Sequence, residues 1–511
     1  MSNSKIAKNT LALYIRMFLS MGISLFTSRI VLQALGVDNY GIYVVVGGFV
    51  SLFVFFTGPL TSASSRFFAF EIGKGKNENL KIVFRSALST HLFYAVIIVI
   101  LLEAVGFYLF KNRLVIPPER MTAAVWVFHF SVAGVFIAII KALLAALIIA
   151  TERMKVYAYL GIADVIIKLT VAAAIVHSKG DKLVLYAFLL LAAEVFNLIA
   201  YHIYCGRNIR EVYVLKPQIN LPLQKTMLGF IGWTLIGQTV WVLNTQGISM
   251  LFNVFFGVAV NAALGIANMI NGALNNFTQN FSIAMNPQII KRYAAGDFNG
   301  MNSLVAQGTK YSFFLLFFVA LPLLFQTEYL LSIWLVEVPH YAAVFTRLLI
   351  INTVIRYFSN TLHLAIHATG NIKAYQLVTG AILLFNIPVS YLFIKFGYPP
   401  AMAFYISIPL WVGVVFTGVL VVKMRIPQFS ARKFIVFVLG TSALVAALSL
   451  APPLIIRRYT TETLTSFFVM TSVCVISTFL SIVFVGLNKN EREWFYTKAK
   501  MLVKRPALGM D

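Results

Sequence analysis

An all-α polytopic membrane protein is predicted, and three observations predict it. Of 511 residues, 60% are hydrophobic and only 11% charged, more apolar surface than a water-soluble chain can bury. Apolar stretches of roughly 20 residues or longer recur from end to end, each able to cross a hydrocarbon core of about 30 Å as a helix. Alternating segments of about ten residues, the mark of a transmembrane barrel, do not recur.

The apolar runs between polar breaks predict about 14 transmembrane helices: 9–34, 40–68, 82–110, 121–149, 155–177, 183–205, 226–254, 259–288, 306–326, 341–368, 372–394, 400–422, 433–455 and 464–487. The first run follows Lys5 and Lys8 but carries Arg16 and no small-residue cleavage site, so it reads as a retained helix. It ends in TSRIVLQALGVDNYGIYVVVGGF, whose short polar break predicts a tight hairpin into the second. Shifting the chain on itself by 221 residues aligns Gly36-Val37 with Gly257-Val258, Phe56-Thr57 with Phe277-Thr278, and Gly75 with Gly296. That register places the first two runs on the seventh and eighth. Six helices return a chain to its starting side, so the pattern predicts two tandem six-helix lobes, 1–210 and 211–425, around a central cavity. They form a parallel repeat about an axis along the membrane normal. The last two helices and a basic tail occupy 426–511. Pro322, Pro388 and Pro409 interrupt the ninth, eleventh and twelfth runs, either as kinks or as packing irregularities.

The formal net charge of +24 excludes little by itself, but a nucleic-acid partner needs a basic soluble face and no soluble domain is present to carry one. Most Lys and Arg fall instead on one side, in EIGKGKNENLK, CGRNIREVYVLKPQ, KMRIPQFSARK and KNEREWFYTKAKMLVKR. By the positive-inside rule that side is cytoplasmic and holds both termini, with anionic membrane lipids as its neighbours. Cys205 and Cys474 are too few and too far apart for a disulfide framework or a zinc site.

Charged groups inside spans are costly and usually face a partner or a wet cavity. The intraspan cations are Arg16, Arg29, Arg66, Lys141, Lys168, Arg347 and Arg356, against the deep acids Glu103, Asp164 and Glu194. Facing one interior, they would make it cationic. Arg29, Arg66 and Arg347 lie near span ends, where snorkelling to headgroups is an equal reading. Arg16 and Arg29 are about 220° apart around their helix, so both cannot face one cavity. Asp164 and Lys168, four apart on one face, read either as mutual neutralisation or as a functional pair. Asn352, Arg356, Asn360, His363 and His367 form one polar stripe on span ten, expected to be a hydrogen-bonding or protonatable cavity lining, with Asn352, Asn360, His363 and His367 facing the transported molecule. Its HLAIH lacks the glutamate of a zinc helix, since position 364 is Leu364, and no metal is expected. Asn268, Asn271, Asn275, Gln279 and Asn286 form a second stripe on span eight. It reads as interhelical glue or as an aqueous lining for sugar hydroxyls, joined by Gln238, Trp241 and Asn244 of span seven.

RIVLQALGVDNYGIYVVVGG resembles the first hairpin of bacterial polysaccharide flippases, L-G-x-x-x-Y-G, within the multidrug/oligosaccharidyl-lipid/polysaccharide exporter (MOP) superfamily. Similarity to Wzx-type O-antigen and capsule flippases would span essentially the whole chain. The resemblance implies a transporter, not an enzyme, that carries undecaprenyl-diphosphate-linked oligosaccharide across the bacterial inner membrane by alternating access, alongside the polymerase and glycosyltransferases of polysaccharide biosynthesis. It implies no cofactor. Arg16, Arg29, Arg66, Lys141, Lys168 and Arg356 are then candidates for the diphosphate, chosen by placement, and Asp164 and Glu194 for coupling to H⁺ or Na⁺. The last two spans are candidates for a groove that guides the polyprenyl tail. The competing readings are a cation-coupled multidrug exporter of the same fold and, behind it, a membrane polymerase or glycosyltransferase. Against the latter, the outer loops KNRLVIPPER and TEYLLSIWLVEVPH are small.

Overall fold

The computed structural model describes residues 3–75, 77–112, 116–335, 338–459, 463–489 and 491–493. Among these there is no strand. The chain runs through α1 (Asn3–Val54), α2 (Thr57–Gly73), α3 (Asn77–Asn112), α4 (Pro118–Ala150), α5 (Met154–Val176), α6 (Lys182–Asn208), α7 (Leu221–Phe256) and α8 (Val258–Ala294). It continues through α9 (Phe298–Trp334), α10 (Ala342–Thr369), α11 (Lys373–Leu384), α12 (Asn386–Lys395) and α13 (Met402–Arg425), then Ala431–Ile456 and Leu464–Gly486. Among the described residues, 12 helices are long and apolar enough to cross a membrane. Expected spans two and eight are helical but outside that group. The first is split between the second leg of α1 and the 17 residues of α2, and α8 is diluted by its amides.

The 221-residue offset recurs in the backbone. Gly36 and Gly257 have φ 75° and 79°, and Gly75 and Gly296 have 70° and 75°. This left-handed region admits glycine without the Cβ clash that other residues meet. The cap geometry repeats with it: Gly75 N–H reaches Ile72 O and Gly296 N–H reaches Tyr293 O, both at 3.1 Å. The prolines act unevenly. Pro322 is followed by a non-helical Gln326, span eleven breaks at Phe385 before Pro388, and α13 continues through Pro409.

Two compact units emerge. Unit 1 comprises Met1–Thr239, Asn280–Asp297 and His367–Gln376; unit 2 comprises Val240–Gln279, Phe298–Ile366 and Leu377–Asp511. Within unit 1, α4 is the central helix, touching α1, α2, α3, α5 and α6. Asp181 starts α6 by accepting from the Leu183 and Val184 N–H groups at 3.0 and 3.3 Å, and Arg120 grips the same carboxylate at 2.9 and 3.0 Å. Within unit 2, Phe252 stacks on Phe345 and Phe404 packs at an angle to both in one core. A second core joins Phe313, Phe314 and Phe317 of α9 to Val445, Met470 and Cys474, so the two C-terminal helices pack on α9. Both cysteines are buried free thiols.

Candidate functional site

Each unit contains a cavity. That of unit 1 has about 970 Å³ and is lined from α1, α4, α5 and α6, with Thr57 of α2. Helical spacing brings its polar groups round. Tyr157, Gly161, Asp164 and Lys168 recur along one face of α5, and Glu194, Asn197 and Tyr201 along one face of α6. Lys141 Nζ donates to Glu194 Oε2 at 2.5 Å; Lys168 Nζ donates to Glu194 Oε1 at 3.1 Å and Asp164 Oδ2 at 3.0 Å. Asn197 Nδ2 donates to Asp164 Oδ1 at 2.8 Å. Arg16 lies across the Tyr157 ring, 4.6 Å from its centre, with its stem against Gly161. The charged lining is therefore Arg16, Lys141 and Lys168 against Asp164 and Glu194, one positive charge in excess. Tyr40, Tyr43, Tyr186 and Tyr201 add hydroxyls to the wall.

The cavity of unit 2 has about 90 Å³ and is lined by Trp241, Asn244, Asn268, Asn271, Asn352, Thr353, Arg356, Asn386, Ser407 and Trp411 among others. Most of its polar groups are already engaged. Asn352 donates to Leu348 O at 2.9 Å and Phe404 O at 3.1 Å and accepts from Ser407 at 2.8 Å. Thr353 donates to Asn271 Oδ1 at 2.6 Å, and Asn244 donates to Leu383 O. Arg356 donates to Asn275 Oδ1 and lies 4.8 Å from the Trp241 ring centre and 5.8 Å from that of Trp411.

Unit 1 has a second polar construction at the end that carries the basic loops. Glu152, in the α4–α5 turn, has φ 62° and a side chain only 1% exposed. A left-handed glutamate costs backbone energy and persists only when its surroundings hold it. Here Gln288 Nε2 and Lys291 Nζ both donate to its carboxylate at 2.6 Å. Beside Lys291, α2 crosses α8 so closely that a Cβ on Gly73 would stand 2.5 Å from Lys291 O. Arg66 is buried at this end too. Its Nε and Nη2 reach His367 O and Ala368 O at 3.2 and 3.3 Å, on the terminal carbonyls of α10, with Phe67 and Phe230 over the guanidinium.

The sequence family described as MatE matches residues 235–392. No curated protein sequence matches the chain. Solved structures do: a MATE protein in complex with MaD3S aligns with TM-score 0.72 at 14% identity, covering 83% of this chain and 97% of the other. An outward-facing multidrug resistance MATE family transporter of the MOP superfamily aligns with TM-score 0.69 at 16% identity, covering 83% and 97%. A MOP superfamily transporter from Pyrococcus furiosus, described as having a reversed binding-pocket polarity that suggests a different function, aligns with TM-score 0.67 at 14% identity, covering 83% and 96%. The chain has the MATE fold.

On this MATE fold the six expected diphosphate cations are dispersed. Arg16, Lys141 and Lys168 share the unit 1 cavity, whereas Arg356 lines that of unit 2. Arg29 is exposed and outside both linings, on a different face of α1 from Arg16 as the helical angle required. Arg66 is consumed by α10 carbonyls, and Arg347 by Glu328, at 2.9 and 2.8 Å. Glu103 pairs with His129 at 3.0 Å, away from both cavities. Asp164 and Glu194 are brought together through Lys168.

The amide stripe divides. Asn268 and Asn271 line the unit 2 cavity, Asn275 holds Arg356, Gln279 is exposed, and Asn286 sits half-buried in unit 1. Trp241, Asn244 and Asn352 line the unit 2 cavity; Gln238, Asn360, His363 and His367 lie outside its lining. A helix of 37 residues is long enough for one face to serve two units. Glu152 and the cavity tyrosines were missed. Nothing in the stretch TERMK marks Glu152 as buried, but Asn197 was recoverable, three residues from Glu194 on the same face.

Proposed function

We propose that this MATE-fold protein is a Wzx-type flippase: it moves an undecaprenyl-diphosphate-linked oligosaccharide, an O-antigen, capsule or exopolysaccharide repeat unit, from the cytoplasmic to the periplasmic leaflet of the inner membrane. It does so by alternating access of two six-helix lobes, with both termini cytoplasmic. The observation that carries this reading is the excess of cations over carboxylates in a cavity of about 970 Å³. A low-dielectric wall with net positive charge favours an anionic headgroup and disfavours a cationic drug. Arg16, Lys141 and Lys168 would meet the diphosphate, the tyrosines and Asn197 would pair with sugar hydroxyls, and the polyprenyl chain would stay in lipid. Asp164 and Glu194 are the groups through which an ion gradient would act. Polymerase and glycosyltransferases are the expected neighbours in the pathway.

The test is deletion followed by leaflet-resolved analysis of lipid-linked oligosaccharides. Cytoplasmic-side accumulation is expected, restored by the wild-type chain but not by Arg16→Ala expressed at the same level. Normal glycans in the deletion strain overturn the reading. The second reading, multidrug export, draws on the description of one structural neighbour and on the acids in the cavity. It predicts drug sensitivity with unchanged glycans in the same strain.

A further inference from the structure

Glu194 is held as a bridge. One oxygen accepts from Lys141 on α4 and the other from Lys168 on α5, at 2.5 and 3.1 Å, so a single carboxylate joins two ammonium groups across the cavity wall. The side chains are 20–36% exposed, reachable from the cavity they line. A phosphoryl group presents two oxygens at nearly the same spacing and with more charge. Two lysines facing a low-dielectric cavity would repel each other without a bridging anion.

We propose that Glu194 is a tethered stand-in for the substrate anion: it occupies the Lys141–Lys168 site, and an incoming phosphoryl or diphosphate group displaces it. The proposal rests on the anionic-substrate reading above and adds how that site is regulated. Three consequences follow from the tether. The two lysines stay paired throughout the cycle, so the cavity need not collapse or admit counterions to neutralise them. A permanently attached competitor has a high effective concentration, so monovalent anions bind poorly, whereas a diphosphate prevails through multiple charge-assisted hydrogen bonds. The same competitor lowers net affinity, which lets the anion leave on the far side. Asp164 does not substitute for it, because it meets Lys168 alone and spends its other oxygen on Asn197.

The experiment compares full-length wild type, Glu194→Gln and Lys168→Ala in detergent, with inorganic pyrophosphate as the probe and a polyprenyl diphosphate as a second arm. Calorimetry should show Glu194→Gln binding pyrophosphate at least about tenfold more tightly than wild type, the scale of one close buried charge coupling. Without ligand its Tm should be below wild type, and pyrophosphate should raise it more than it raises the wild-type Tm. Lys168→Ala should lose binding. If Glu194→Gln fails to fold, Glu194→Asp serves: it is one methylene too short to span both lysines and should show a smaller gain in the same direction. Equal or weaker pyrophosphate binding by the variant that folds overturns the proposal. Binding of both probes assigns the site to a lipid headgroup, and binding of pyrophosphate alone assigns it to a free phosphate. If Glu194→Gln gains nothing while the deletion strain accumulates cytoplasmic-side glycolipid, the stand-in fails and the flippase stands. If it gains affinity while that strain has normal glycans, the anion site stands and the flippase fails.

Discussion

The cavity in unit 1 encloses about 970 Å³ and is lined by ion pairs and phenols, whereas that in unit 2 encloses about 90 Å³ and is lined by amides, hydroxyls and one arginine between tryptophans. The two chemistries behave differently when a ligand arrives. An ammonium group that leaves one carboxylate for a phosphate exchanges like for like. An amide whose donors already serve backbone carbonyls, as Asn352 serves Leu348 and Phe404, must give up those bonds to bind anything else. Polar residues inside a membrane protein are therefore of two kinds. The charged groups that line the unit 1 cavity pair with one another, while many polar groups in unit 2 hold helices together, the alternative that the amide stripe left open.

The sharpest way to break this comparison is at the charged group of unit 1 that is not exchangeable. Lys291→Ala removes the ammonium group paired with the buried Glu152 carboxylate. It should cost about 3–5 kcal/mol, read as a lowered midpoint of thermal unfolding in detergent. Glu152→Gln combined with Lys291→Gln should recover most of it, and no recovery would show that the site matters for shape rather than charge. Next, Asn352→Leu in unit 2 should cost about 0.5–1.5 kcal/mol, because the Phe404 carbonyl loses its amide donor and the Ser407 hydroxyl keeps only its bond to that carbonyl. A change under about 0.5 kcal/mol would mean that this amide is exchangeable after all. Arg356→Lys keeps the charge but loses the planar stacking on Trp241 and Trp411, and should cost about 0.5–1 kcal/mol in the same assay.

The smallest effect lies outside both cavities. Burial pushes the Asp181 carboxyl up, but the Arg120 hydrogen bond and the Val184 and Leu183 N–H groups together bring it below its ordinary value. A carboxyl depressed in the folded state stabilises fully above its unfolded pKa of about 4 and loses that contribution as pH falls through the lower folded value. With 37% of its side chain exposed, screening holds the pair to about 0.2–1 kcal/mol. Asp181→Asn should lower the thermal midpoint slightly at pH 6, and the two proteins should converge as the pH falls through the lowered folded value.

How much of this was legible in the sequence depended on the range of the interaction. Helix periodicity placed Asp164 with Lys168 and Arg16 apart from Arg29, because both are properties of one helix. The offset of 221 set Gly36 against Gly257 and Gly75 against Gly296, and all four have positive φ, where glycine escapes a Cβ clash. Arg66 stayed open for the opposite reason. Whether an arginine near a span end snorkels, lines a cavity or caps a helix depends on residues such as His367, which is distant in the chain. Glu152 gave no sign at all, because its burial comes from α8.

By itself, then, the sequence determined the class, the helices, their repeat and the presence of costly polar groups inside them, all of which follow from hydropathy and from periodicities of a few residues. Tertiary structure alone decided which of those groups meet. It brought Lys141, Lys168 and Glu194 into one ion-paired network, bonded Asn352 to backbone carbonyls, and joined Glu152 to Lys291. The physical reason is that burial and pairing are set by neighbouring helices, and the energy of a charge or an amide depends more on those neighbours than on its own position in the chain.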